Sequence, residues 1–226
     1  MSTKSPATAQ QRDSATARQR DSAFGKLIIP KTTTSKTDRP QADQTHVGVT
    51  MTTLRRFEMN DLFKFNNVNL DVLTETYNQP FYLSYQACWP EAFTVAESPD
   101  GGIMGYMLGK AEGLGKLWHS HVSAVTVAPT YRRLGLAKTL MDDLEDNLST
   151  NVYNAHFVDL FVRASNGLAI SMYEKFGYVK YRRVLGYYSC DDPEDAWDMR
   201  KALPRDKNGE SVVPLDHPIR PEDLEW

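Results

Sequence analysis

From residue 51 onward, apolar positions either alternate with polar ones or recur every three to four residues, whereas the first 50 positions do neither. Residues 53–57 read as a first strand. Asn60 is placed to cap a helix that has Asp61 in its first turn and Leu62, Phe63 and Phe65 as its apolar contacts. A second helical stretch spans 73–89 and is interrupted at Pro80, whose ring removes a backbone donor. Residues 93–97 and 103–111 alternate as strands around Ser98-Pro99-Asp100-Gly101-Gly102, a run of turn formers. A long strand over 118–127 runs into Pro129, and Leu136, Leu140, Leu144 and Leu148 then predict a helix over 134–148. Residues 157–162, interrupted only by Asp159, carry the pattern of a buried central strand. A helix over 168–176, opened by Ser165 or Asn166 and closed by Gly177, and strands at 178–188 and 197–202 complete the order. The pattern predicts an α/β fold with a single mixed central sheet flanked by helices.

Composition adds a boundary. Residues 1–50 hold 8 Lys and Arg against 4 Asp and Glu, one aromatic residue (Phe24), and 22 Ser, Thr, Gln or Pro, too little apolar surface to offset the entropy of ordering. They are expected to form a disordered extension before a domain at 51–204 and a polar, proline-containing tail at 205–226. A transit peptide would share the Arg and Ser/Thr content, but four aspartates and the lack of an amphipathic pattern argue against it, and translation starting at Met51 is another reading. The net charge of −3 speaks against coating of DNA or anionic membranes, and no apolar run approaches the roughly 20 residues of a membrane span. Two cysteines, Cys88 and Cys190, are too few for a disulfide framework or a four-thiolate zinc site, so the expected setting is cytoplasmic and metal-free.

The chemically informative stretch runs from Val125 to Ala137. A strand ends, a turn follows, and a helix begins whose first amides lack intrahelical partners and suit a pyrophosphate. Gly135 and Ala137 remove side-chain bulk, and Arg132 and Arg133 add positive charge at the rim. On its small residues alone, the stretch reads better as an ordinary helix start with surface arginines. Neither G-x-x-x-x-G-K-[ST] nor G-x-G-x-x-G is present.

The order of elements with Arg132-x-x-Gly135-x-Ala137, then Asn166, then Tyr173-Glu174-Lys175-Phe176-Gly177-Tyr178, resembles the GCN5-related N-acetyltransferase (GNAT) family. Further blocks, including 71–77, 104–113, 158–163, 187–189 and 198–203, are similar to the catalytic subunits of NatB-type N-terminal acetyltransferases, and the likeness extends from residue 51 to the C-terminus. It implies a GNAT fold. The implied activity is acetyl transfer from acetyl-CoA to the α-amine of nascent chains beginning Met-Asp, Met-Glu, Met-Asn or Met-Gln. The resemblance further implies a large helical-repeat auxiliary subunit that docks the enzyme on the ribosome, for which Phe63, Phe65, Phe81 and Tyr82 are candidate contacts.

The same resemblance distributes the roles. Backbone groups of Val125 and Val127 would meet the pantetheine arm and the thioester carbonyl, Arg132, Arg133, Gly135, Leu136 and Ala137 the pyrophosphate, and Asn166 the coenzyme arm. Tyr173, two helical turns beyond Asn166, would protonate the departing thiolate. Glu75 would act as a base through water, Tyr77 would pack on the substrate methionine, and Tyr187 and Tyr188 would cover the groove. His121 would read the second substrate residue, with Ser123, a threonine in the family, nearby; His119 shares its face. Gly186, where the family carries an acid, is expected to loosen the lid. The residues themselves leave simpler readings open: Tyr173 as a core aromatic, Asn166 as a cap, His121 as a structural histidine, and the paired tyrosines facing opposite sides of a strand. Two other functions remain in view, a GNAT enzyme acting on lysine or small amines and an inactive acetyl-CoA-binding assembly protein.

Overall fold

Parallel neighbours in a sheet need a long crossover, and the described residues include one such connection. In the computed structural model, which describes residues 52–71, 74–188 and 193–224, the strands are β1 (Thr53–Arg56), β2 (Phe93–Glu97), β3 (Ile103–Glu112), β4 (His119–Val127), β5 (Phe157–Arg163), β6 (Val179–Tyr188) and β7 (Glu194–Ala202). They form one sheet in the order β1-β2-β3-β4-β5-β7-β6, antiparallel throughout except for β4 beside β5. The expected extension at 1–50, Met51 and Cys190 lie outside the described residues.

The crossover between β4 and β5 is α3 (Leu136–Asp142), continued by wider π-helical turns at Asp143–Thr150. Its four leucines are buried as the four-residue period requires, packing with Val122, Leu160 and Met199 on one face of the sheet beside α4 (Gly167–Lys175). The helix begins at Leu136 rather than at 134, because Arg133 and Gly135 have left-handed φ values of 65° and 82°. The opposite face is covered by α1 (Asn66–Asn69) and α2 (Gln79–Cys88), through Phe65, Val68, Tyr82 and Tyr85 against Phe93, Val95 and Tyr106.

Two expectations in the first helical region are corrected. The segment after β1 is a 3-10 turn, Met59–Phe63, and Asn60 lies inside it; the cap is the stretch Glu58 to Asp61, where the Glu58 amide donates to the Asp61 carboxylate at 2.8 Å. The stretch 73–89 shortens to α2, since Pro80 starts the helix behind an Asn78 cap instead of interrupting one, its missing N–H costing nothing in the first turn. The set of candidate partner contacts also changes. Phe65 and Tyr82 are core residues at 5% and 3% exposure, and only Phe63, at 78%, stands in solvent.

Asp61 is buried because it answers Arg55, whose guanidinium grips both carboxylate oxygens at 2.6 and 2.9 Å and also reaches Glu97. Burial opposes ionisation of Asp61, but Arg55 and the Glu58 amide outweigh it and hold the carboxyl below its ordinary range. Asp61→Ala is therefore expected to cost about 2 kcal/mol in urea unfolding, less than a fully buried pair because Arg55 keeps Glu97 and part of its hydration. The folded carboxyl ionises at lower pH than the unfolded one. The difference between parent and variant should thus be complete above the unfolded value of about 3.9 and fade as the pH falls through the folded one.

The tail closes the far edge of the sheet. Leu215 and Ile219 donate to the carbonyls of Tyr181 and Arg183 at 2.7 and 3.0 Å, Leu185 donates to Ile219 at 2.8 Å, and Leu224 packs on Val184 and Ala196. An otherwise open β6 edge is thereby paired over part of its length.

Candidate functional site

The site begins where the sheet parts. β4 and β5 are registered only from His119–Phe157 to Val122–Leu160, so the rest of β4 leaves its neighbour. A bulge marks the departure: Leu108 faces Ala124 but Gly109 faces Val122, leaving Ser123 as the extra residue. Ala128 donates to the Met104 carbonyl on β3 at 2.9 Å; by alternation Val125 and Val127 turn their amides and carbonyls the other way, into the gap.

The start of α3 lies at the end of that gap. Thr139 is the first residue to donate back along the helix, to Gly135, so the amides of Leu136 and Ala137 have no intrahelical acceptor. Gly135 adopts φ 82° and is exposed, which exposes the amides at the dipole's positive end. Arg133 is exposed at this rim. Arg132 is not directed outward as expected: its Nε donates to the Val127 carbonyl at 3.2 Å and its guanidinium pairs with Asp71, so it braces the turn against the segment after α1. Thr74 and Thr126 share a hydrogen bond of 2.8 Å that ties the same segment to β4.

Asn166 caps α4, its side-chain oxygen accepting from Ala169 at 3.0 Å, which leaves its amide group for other bonds. Tyr173 is nine-tenths buried against Phe176 and Tyr178, and its hydroxyl makes no hydrogen bond among the described residues. Burial pushes its ionisation far up, so the hydroxyl keeps its proton at any physiological pH. No described hydrogen bond or ring contact joins it to the aromatic groove on the other side of the gap.

That groove is assembled from four elements. Tyr77 stacks on Phe81 with ring centres 4.2 Å apart and donates its hydroxyl to the Ser123 carbonyl at 3.0 Å, while Tyr85 meets the Ser123 hydroxyl at 2.7 Å. The unpaired bulge residue is thus held by two tyrosines. His121, two residues earlier, bonds through Nδ1 to Asp159 at 2.8 Å and lies 5.4 Å from the Phe161 ring. Tyr187 stacks on Phe161 at 4.6 Å, and burial, helped by the charge of Asp159, pushes its hydroxyl up to about 12. Tyr188 donates to the Phe161 carbonyl. Both tyrosines therefore reach β5 rather than opposite faces, because the β6–β7 register breaks between Val184 and Tyr188 around Gly186 at φ 61°. The Gly186 amide donates to Asp195 at 2.8 Å, which pins the corner that a glycine was expected to loosen. His119, on the same face of β4, is 3% exposed against 7% for His121, stacks on Phe157, and bonds through Nδ1 to the Leu117 carbonyl at 2.6 Å.

Glu75 is exposed, and one of its oxygens accepts from Arg163 at 2.8 Å. Arg163 went unnoticed in the sequence, where it reads as the polar end of an apolar strand. In the fold it also contacts Glu194 at 3.3 Å and lies 4.1 Å over the Tyr188 ring, joining the segment before α2 to both strands of the last hairpin. Asp159 and Tyr85 were missed for the same reason, since their partners are distant in sequence; the lone acid inside an apolar strand was the available signal.

The profile of the acetyltransferase (GNAT) family matches residues 59–178. The chain belongs to the GNAT acetyltransferase family. It is 60% identical over 176 residues to the N-terminal acetyltransferase B complex catalytic subunit NAA20 of Arabidopsis thaliana, covering 78% of this chain and 99% of that protein. Among solved structures it is similar to Naa20 of Chaetomium thermophilum in complex with a bisubstrate analogue, with a TM-score of 0.68, 42% identity, and coverage of 75% and 97%. It is also similar to a chain of the NatB acetyltransferase complex bound to CoA and MES, with a TM-score of 0.62, 50% identity, and coverage of 67% and 99%. Within the GNAT family the chain sits with the catalytic subunits of NatB-type N-terminal acetyltransferases, and it is an acyltransferase.

Proposed function

We propose that the chain transfers acetyl from acetyl-CoA to the N-terminal α-amine of polypeptides beginning Met-Asp, Met-Glu, Met-Asn or Met-Gln, working in the cytoplasm with a large auxiliary subunit that docks it on the ribosome. The observation that carries this reading is the gap beyond Val122, with free helix-start amides at one end and a tyrosine-lined groove at its side. Supporting it are the relatives named as NatB catalytic subunits and the related structures bound to CoA or a bisubstrate analogue.

On this reading the amides of Gly135, Leu136 and Ala137 hold the pyrophosphate, with Arg133 at the rim and Arg132 keeping the turn in shape. Val125 and Val127 receive the pantetheine arm as an added strand and give the thioester oxygen a donor, and the Asn166 amide holds the arm from α4. Tyr173 protonates the thiolate as it leaves. An α-amine with a value of about 7.7 to 8.0 is already roughly one-tenth neutral at pH 7, so the acceptor needs orientation more than a strong base. Glu75, steered by Arg163, collects the amine's proton through water. Tyr77 packs on the substrate methionine, Ser123 lends its hydroxyl beside it, and Tyr187 and Tyr188 cover the peptide backbone. Arg163 stacked on Tyr188 narrows the groove against an internal lysine.

His121 donates to the side-chain oxygen of the second substrate residue. His121→Ala is expected to raise KM for a Met-Asp peptide about tenfold or more, with KM for acetyl-CoA little changed. Initial rates of the two-subunit enzyme with Met-Asp, Ser- and Ala-starting and lysine peptides test the whole reading. A preference for anything other than the Met-Asp class would overturn it.

A further inference from the structure

We infer that Asp159 is a positioning residue for substrate selection: it fixes the proton on Nδ1 of His121, so that Nε2 addresses the second substrate residue, and its charge favours a carboxylate there over an amide. The inference rests on the reading of His121 given above. It starts from register. His121 and Asp159 are paired neighbours on the parallel strands, in the last stretch before β4 and β5 part, so their side chains meet beneath the groove at 2.8 Å. Asp159 is 3% exposed.

The surrounding charges keep that acid ionised. Burial opposes its charge, but His121, then His119 and Arg200, outweigh it and hold the carboxyl below the usual range. Its buried neighbour Asp198 moves the other way, raised by burial and by Asp159, although Arg200 and Arg182 both contact it. Of the two acids, Asp159 is the one that holds its charge next to His121. The other groups around the pair are Lys110 and Glu112 on β3, with Lys110 directly across from His121; His119 on β4, its Nε2 3.6 Å from Asp159 and 3.8 Å from Glu112; Tyr187 on β6; and Tyr85 on α2.

A carboxylate accepts only, so the bond to Asp159 requires the proton on Nδ1. Any hydrogen bond His121 then gives to a substrate comes from Nε2 of an imidazolium, flanked by Asp159 on one side and by the substrate oxygen on the other. A substrate carboxylate gains from that positive charge as well as from the hydrogen bond; an amide oxygen gains chiefly from the bond. The preference for acid over amide thus depends on the ring charge that Asp159 supports.

The test uses the full chain assembled with its auxiliary subunit, comparing KM and kcat of the parent enzyme and Asp159→Asn on Met-Asp and Met-Asn peptides. Asparagine keeps the shape and an acceptor oxygen while removing the charge. The expected result is a rise of about tenfold in KM for Met-Asp, less than about twofold for Met-Asn, unchanged kcat, and loss of most of the Asp-over-Asn preference. An unchanged preference in a folded variant overturns the inference. If His121→Ala also leaves the preference intact, the reading of His121 fails; if His121→Ala abolishes it while Asp159→Asn does not, only the role of Asp159 fails. Should the variant not fold, nitrogen chemical shifts of labelled histidine in the parent bound to a Met-Asp peptide decide: a His121 protonated on both nitrogens supports the inference, and a ring protonated on one nitrogen only overturns it.

Discussion

Tyr173→Phe is expected to lower kcat by about 10²- to 10³-fold while leaving the affinity for coenzyme A within about a factor of two. The hydroxyl makes no hydrogen bond among the described residues, so removing it breaks nothing that holds the fold. A phenylalanine ring keeps the packing against Phe176 and Tyr178. On the proposed reading, what is lost is one proton donor for the departing thiolate, kept protonated by its burial. Steady-state rates with a Met-Asp peptide, alongside calorimetric binding of coenzyme A, separate the two quantities. A variant with parental kcat would mean that water supplies the proton, and Tyr173 would then be a core aromatic and no more.

Gly135→Val has the other large effect, and on binding rather than chemistry. The backbone at this position has φ 82°, where a β-branched side chain costs about 1 to 2 kcal/mol in strain. On the proposed reading the added methyl groups would also crowd the helix-start amides of Leu136 and Ala137 that would hold the pyrophosphate. Affinity for coenzyme A should fall by about a hundredfold or more, since several hydrogen bonds to a charged group are weakened together. Gly135→Ala should fall between the parent and the valine variant. Binding of coenzyme A to Gly135→Val with parental affinity would show that the phosphates are held elsewhere.

Much of this was legible along the chain because it rests on local rules. The leucines at 136, 140, 144 and 148 repeat with the helical period, and all four are buried. Gly135 could be singled out because a left-handed turn at a helix start favours a residue without a Cβ, and its φ is 82°. The errors were local as well. Asn60 and Asp61 both suit a helix start, and the choice of Asp61 as the capping group came from Arg55 and the Glu58 amide, contacts that propensity does not weigh. Pro80 was read as an interruption, although a proline in the first turn is compatible with the helix it begins.

The sequence by itself determined the periods, hence the alternation of strands and helices around one mixed sheet, and the motif whose likeness to GNAT enzymes carried the activity. Only the tertiary structure decided which side chains act together. Asp159 looked like a flaw in an apolar strand until parallel register set it beside His121, and Arg163 looked like a strand end until it joined Glu75, Tyr188 and Glu194. Periodicity reports which face a residue takes on its own element. Which residues face it from another element depends on register and on where strands part, and those follow from packing the whole chain at once.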